Sequence, residues 1–287
     1  MYRAAVLAFI TSMPHPQNCA SYPRRSLLLR NTLKSILAQT SDDIHVVVVV
    51  NEPPECELPK DPRIELVLVS FPPSSSPLGR PSLAGIEVDK GSKLGIGVSA
   101  AVRHDARHVM FVDSDDYIHN DIARFVAQDP GAPGWYSDSG YFHMSGRRSV
   151  RAIDHGFHQR NGSTHVIRTD LLGVPGDLSR DLSRDEVLDR IGRQKATSIM
   201  GRHRPIVEYF DRLGTPLSPF PFAAVIWEIG TGENCTGVLA GAGRKESVTG
   251  RISKEFGLAI PSRGTALKSA AVTSWSRSLR LVTRKRG

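Results

Sequence analysis

Three carboxylates close an apolar run in Phe111-Val112-Asp113-Ser114-Asp115-Asp116. Val109 to Val112 reads as a buried strand, and anions clustered at its end repel one another and resist desolvation. A divalent cation would relieve that repulsion. Magnesium and manganese prefer oxygen ligands and are commonly held by one or two carboxylates together with substrate phosphates. Asp113 and Asp115 are therefore the expected ligands of Mn2+ or Mg2+, with Ser114 between them in a metal–diphosphate site. A calcium loop of the EF-hand kind is excluded. Counted from Asp113, its fifth, sixth and twelfth positions need an oxygen ligand, a glycine and a glutamate. This chain has Tyr117, Ile118 and Arg124 there. A blander alternative has Asp113 or Asp116 capping a helix that begins near His119. One cap does not require three carboxylates.

The elements that must carry this cluster follow from periodicity. Ala4 to Thr11 reads as a first strand. Arg24 to Gln39 places Leu28, Leu29, Leu33, Ile36 and Leu37 along one side of a helix. Ile44 to Val50 is a continuous β-branched run, the pattern of a strand buried on both faces of a parallel sheet. Arg63 to Phe71 is a third strand, Lys90 to Arg107 a helix, and His108 to Val112 the strand that ends in the carboxylates. Such a βαβ series predicts an open, mostly parallel α/β sheet, with ligands bound beyond the carboxyl ends of its strands. Asn51 and Asp113 both stand at such ends. The second half is less regular. Trp135 to Met144 and Ala223 to Ile229 read as strands, Thr164 to Arg168 as a short strand, and Leu178 to Ile191 as a charged helix.

Composition bounds the partners. The chain has 287 residues, a formal net charge of +8 and 40% hydrophobic residues, enough for one large domain with a sizeable core. A basic balance suits anionic ligands. Cys19, Cys56 and Cys235 are sparse, odd in number and far apart, which argues against a disulfide framework and for a cytoplasmic setting. No apolar run is long enough to span a bilayer. Gly95-Ile96-Gly97-Val98-Ser99-Ala100 matches a dinucleotide fingerprint only in spacing. It falls inside a helical stretch rather than at a strand–helix turn, so close helix–sheet packing is the better reading. Lys90 and Lys93, at the start of that helix, and Arg80 before it are candidates to reach a nucleotide or its phosphates.

These features resemble the family 2 glycosyltransferases of GT-A fold. The resemblance rests on the first strand, on the helix Arg25 to Thr40 with its Leu33, Ser35, Gln39 and Thr40, on Ile44 to Val50, and on Phe111 to Asp116 as the family's Asp-x-Asp strand end. It covers roughly the first 130 residues. It implies a Rossmann-like, mostly parallel sheet with an irregular acceptor-binding C-terminal half. It also implies a nucleotide-sugar donor, a divalent metal, and inverting transfer to a glycan or a lipid-linked glycan. On that reading residues 1–130 form the nucleotide-sugar-binding half of a domain and residues 131–256 the acceptor-binding half. Residues 257–287 form a basic tail. Asn51-Glu52-Pro53 stands where the family usually has acidic residues, and Asn51 and Glu52 are the donor-binding candidates there, with Lys90, Lys93, Asp113 and Ser114.

A carboxylate across the cleft would deprotonate the acceptor. Asp185 and Glu186 on the charged helix are the favoured candidates, with Asp170 next. His203 is the candidate third metal ligand, as GT-A enzymes often add a late histidine. Trp135, Tyr136 and Tyr141 could stack on sugar rings. From Lys268 the tail carries basic residues with Trp275 and leucines between them. That pattern suits peripheral contact with an anionic membrane at the cytoplasmic face, with a disordered solubilising tail as the alternative. Nucleic acid is not an expected partner. A nucleotidyltransferase would share the sheet and the carboxylates but usually carries a glycine-rich basic signature after its first strand, which Met13 to Ala20 lacks. A nucleotide-binding protein without turnover is the remaining alternative.

Overall fold

Five consecutive valines put β2 (Ile44–Val50) in the middle of the molecule, with six of its seven residues buried. The computed structural model describes residues 6–74, 81–233 and 243–259. Around β2 lie β1 (Leu7–Ser12), β3 (Ile64–Leu68) and β4 (His108–Asp113). β1 pairs in parallel with both β2 and β4, and β2 with β3. The expected parallel α/β sheet is therefore what forms. Its side chains alternate between two apolar layers. Ala8, Ile10, Val47 and Val49 face one core, and Leu7, Phe9, Val46, Val48 and Val50 face the other. A strand wetted on one face would have needed polar residues at every second position.

Each layer is covered by a helix. α1 (Tyr22–Leu37) starts at the Ser21 cap, whose hydroxyl accepts from Arg24 N, and buries Leu29, Leu33 and Ile36. α2 (Leu83–Arg103) covers the opposite face. It begins seven residues before the expected Lys90, because Ser82 caps it by accepting from Gly85 N at 3.1 Å. Lys90 is thereby moved to the third turn. A Cβ at Gly97 would collide with Ile10 on β1. Gly97 thus serves the close helix–sheet packing the sequence indicated, whereas Gly95 lets Ile191 of the later charged helix approach.

The second half extends the sheet and adds another. β6 (Gly134–Tyr136), β9 (His165–Arg168) and β10 (Ser218–Pro219) continue the first sheet beyond β4, in the order β10-β6-β9-β4-β1-β2-β3. β9 is antiparallel to both β4 and β6. β5 (Tyr117–Ile118), β7 (Gly140–Met144), β8 (Ser149–Ile153), β11 (Val225–Ile229) and β12 (Arg244–Ser247) make a smaller mixed sheet. The single strand expected over Trp135 to Met144 is therefore two strands in different sheets. Trp135 belongs to the core, buried against Phe125 and Phe220.

The helix near His119 is α3 (Ile122–Val126), and Asp121 occupies its cap position. Neither Asp113 nor Asp116 caps it, which removes the bland reading of the carboxylates. The charged helix is shorter than expected. It is α4 (Arg184–Ile191), set by a capping box between Ser183 and Glu186. Among the described residues no helix is long and apolar enough to cross a membrane. Arg80 and the basic tail from Lys268 lie outside the described residues.

Candidate functional site

Register brings the strand ends together. Ser12 lies level with Val49 on β2 and with Asp113 on β4. Met13 to His15, Asn51 and Asp113 therefore emerge along one edge of the sheet. Lys90 reaches that edge from α2 and forms a short ion pair with Asp113 Oδ1. Arg25, in the first turns of α1, donates to Asp115 Oδ2 at 3.3 Å and to the backbone oxygen of Glu233 at 2.6 Å. The Glu233 carboxylate accepts from Ser21 N at 2.8 Å and Ala20 N at 3.2 Å, where the helix N-terminus favours an anion. Asp113 and Asp115 thus each meet a cation.

Asp116 has a different role. It is fully buried and accepts from Asn161 Nδ2 at 2.7 Å, Ser163 Oγ at 2.5 Å and Glu228 N at 3.3 Å. Ser163 Oγ in turn accepts from Asp113 N at 2.8 Å. The segment 161–163 is held against the end of β4 by these bonds, and Gly162 is pressed onto the Asp113–Lys90 pair. A Cβ at Gly162 would stand 2.6 Å from Asp113 Oδ2 and 3.0 Å from Lys90 Nζ.

Charge within the cluster is unequal. Burial pushes Asp113 upward, but the Lys90 ammonium outweighs it, helped by His203 and Arg25, and holds the carboxyl below its usual range. Burial raises Asp115 to about 6 against the pull of Arg25, with Asp113 adding to the rise. Burial, then the charges of Asp115 and Asp113, push Asp116 well above the carboxylate range. Asp113 and Asp115, at the strand end, offer oxygen donors of the kind that magnesium and manganese take. His203 offers a further ligand atom. Among the described residues its Nε2 is buried without a hydrogen-bond partner. Burial and then Lys90 hold its imidazole below the usual range, with Asp113 acting the other way. Asp113 and Asp115 are the donors such an ion would take, shared with diphosphate oxygens as one or two protein carboxylates allow.

The other expected residues separate into those at this edge and those away from it. Asn51 is at the edge. Its Nδ2 donates to Phe71 O at 2.8 Å and Val69 O at 3.2 Å, while its Oδ1 is buried with no hydrogen-bond partner among the described residues. The Glu52 side chain is exposed beside it, and its backbone oxygen accepts from the Tyr22 hydroxyl. Ser114 is buried between the two aspartates. Lys93 is withdrawn from the edge. Its ammonium is fully buried and donates to Met13 O at 2.8 Å and Asp89 Oδ2 at 2.7 Å, so it braces the wall instead of reaching a ligand.

Asp170 lies at the opposite edge. β9 runs antiparallel to β4 and pairs Arg168 with His108, at the start of β4. Asp185 and Glu186 are in the first turn of α4, and both are engaged locally. Asp185 accepts from Arg193 at 2.7 Å, and Glu186 accepts from Ser183 N at 2.8 Å to complete the capping box. The neighbouring Arg184 is the one that enters the crevice. It donates to Asp89 at 2.9 Å and to Pro72 O, its guanidinium lies 5.6 Å from the Phe71 ring centroid, and its Nε is buried with no hydrogen-bond partner among the described residues. Tyr136 packs edge-on against His158, and Tyr141 against Phe256.

Sequence reading missed Arg25, Arg184, Glu233 and the Asn161-Gly162-Ser163 segment. The last left a signal, a polar triplet directly ahead of a buried strand. Gly162→Ala tests the packing of that segment. The added methyl must displace the ends of Asp113 and Lys90, so Mn2+-dependent binding of a nucleoside diphosphate should weaken by roughly tenfold, with the melting temperature nearly unchanged. Calorimetry beside a thermal melt reads both. Wild-type affinity would mean that the Asp113–Lys90 pair takes no part in binding.

No protein-family profile matches the sequence, and no curated protein matches it. Among solved structures, the crystal structure of S. aureus TarS superposes with a TM-score of 0.36 at 16% identity, over 78% of this chain and 36% of that one. The chain thus spans little more than a third of that protein's length, and a likeness this distant assigns no activity.

Proposed function

We propose that this protein is a GT-A-type glycosyltransferase. In this reading it moves a sugar from a nucleoside-diphosphate donor to a glycan or a lipid-linked glycan, with inversion and with Mn2+ or Mg2+. The observation that carries the proposal is the placement of Asp113 and Asp115 at the carboxyl edge of a parallel sheet, beside Lys90, Arg25 and the unpaired nitrogen of His203. The metal, when bound, supplies positive charge to the diphosphate leaving group. Asp113, Asp115 and His203 would hold it.

The chain's own residues divide the remaining work. Among the described residues Asn51 Oδ1 and Arg184 Nε are an unmet acceptor and an unmet donor, both on side chains that touch the Phe71–Pro72 turn. A planar base with N–H and C=O groups would satisfy them, and buried polar atoms left unmet are costly. Lys90 and Arg25 add fixed positive charge where the diphosphate gains negative charge as the sugar–phosphate bond breaks. Asp185 is the proposed base. Its helix start borders the crevice through Arg184, whereas Glu186 is held in the capping box. In this role Asp185 leaves Arg193 and takes the acceptor hydroxyl's proton as the new bond forms.

Calorimetry with UDP, GDP and dTDP, each with Mn2+, tests the binding half of the proposal. At least one should bind, and Asn51→Ala should weaken that one by about tenfold, the worth of one hydrogen bond to a buried acceptor. Failure of all three with well-folded protein would overturn the donor class.

A further inference from the structure

A second group of ligating side chains lies at the other end of the sheet. His45 is the second residue of β2, Glu65 the second of the edge strand β3, and His104 the residue that closes α2. Their side chains converge. His45 Nε2 lies 3.1 Å and His104 Nε2 3.0 Å from the same oxygen, Glu65 Oε2. The two imidazole rings stand 3.9 Å apart at 35°. All three ligand atoms fall within 4.8 Å of one another. The other Glu65 oxygen faces Arg103 Nη2 at 3.9 Å, which leaves Oε2 to the histidines. The hydrogen bond from His45, and then that from His104, outweigh burial and hold the Glu65 carboxyl below its usual range. All three residues are only half-buried, so an ion has a path to them.

We infer that His45, Glu65 and His104 form a binding site for a divalent transition-metal cation of the zinc type. Two imidazoles and one carboxylate are a recurrent zinc set, which leaves a fourth position for water. Zinc–ligand bonds of about 2.0–2.2 Å set neighbouring ligand atoms roughly 3.3 Å apart in a tetrahedron. The present separations from Glu65 need only a slight opening to admit the ion. Each Nε2 must offer its lone pair, so each neutral imidazole carries its hydrogen on Nδ1 in the loaded state. The site is not the one proposed for the diphosphate. Along α2, Lys90 and His104 are fourteen residues apart, about 21 Å at the helical rise. Its effect is mechanical. The ion ties the end of α2 to β2 and β3, which are already joined there by backbone pairing.

The test uses full-length, untagged protein stripped with chelator, titrated with Zn2+ by calorimetry and with Co2+ by visible absorption. Wild type should bind about one zinc, show the strong d–d bands of tetrahedral cobalt, and gain roughly 5 °C in melting temperature at a hundredfold excess over Kd. His104→Gln, at the half-buried end of α2, should weaken binding by at least about tenfold and abolish the cobalt bands with the metal-free melting temperature nearly unchanged. Asp115→Asn should leave all of these intact. Absence of zinc binding, or wild-type binding and bands in both His104→Gln and His45→Gln, would overturn the site. So would binding lost in Asp115→Asn alone, which would place the ion at the carboxylates.

Discussion

Asp115→Asn should lower sugar transfer by roughly a thousandfold and remove most Mn2+-dependent affinity for the nucleoside diphosphate, while the protein stays folded. The amide keeps an oxygen near Arg25 but surrenders the charge that a divalent ion needs. Folding should survive because Arg25 retains its hydrogen bond to Glu233 O and its approach to the Glu233 carboxylate at 3.9 Å. Burial already raises Asp115 to about 6, so neutralising it relieves a desolvation cost in the metal-free protein. A melting temperature equal to or above that of wild type should therefore accompany the lost binding. A folded variant with unchanged affinity would remove Asp115 from the ligand set.

Asp185→Asn is expected to separate binding from chemistry. Nucleoside-diphosphate affinity should stay at the wild-type value while turnover falls by roughly a hundredfold or more, because a general base acts only in the transition state. The stability cost is small, since the Asp185–Arg193 pair is exposed and solvent screens it. Glu186→Gln serves as the contrast. It disturbs only the capping box and should leave turnover within about twofold. Full turnover in Asp185→Asn would move the proton transfer to another group.

What could be read from the sequence was whatever is encoded locally. β2 has the bounds expected for it, because five consecutive valines after Ile44 and His45 suit a strand buried on both faces. The carboxylates at the end of β4 and the ammonium of Lys90 were legible by the same logic, although the helix carrying Lys90 starts earlier than its apolar period suggested. The partners were hidden because they come from far along the chain. Arg25 meets Asp115 across ninety positions, and Asn161 meets Asp116 across forty-five. Arg184 stands beside the two acidic residues that drew attention, yet only the tertiary packing of α4 shows which of the three turns inward. The strand expected over Trp135 to Met144 failed for a related reason. Residues 137–139 turn the chain from one sheet into the other, and both segments carry similar alternation. Lys93 looked like a surface cation by type, and its burial depends on Met13 O and Asp89, contacts that no spacing rule supplies.

In the proposed function Asp113 and Asp115 serve metal-dependent cleavage of a sugar–diphosphate bond. The most direct measurement is release of nucleoside diphosphate from a panel of UDP-, GDP- and dTDP-sugars by the full-length protein, with Mn2+ and with excess chelator. Release is expected from at least one donor with Mn2+, with loss of that release in chelator and in Asp115→Asn under both conditions. Release that persists undiminished in chelator, or in Asp115→Asn, would contradict the proposed function.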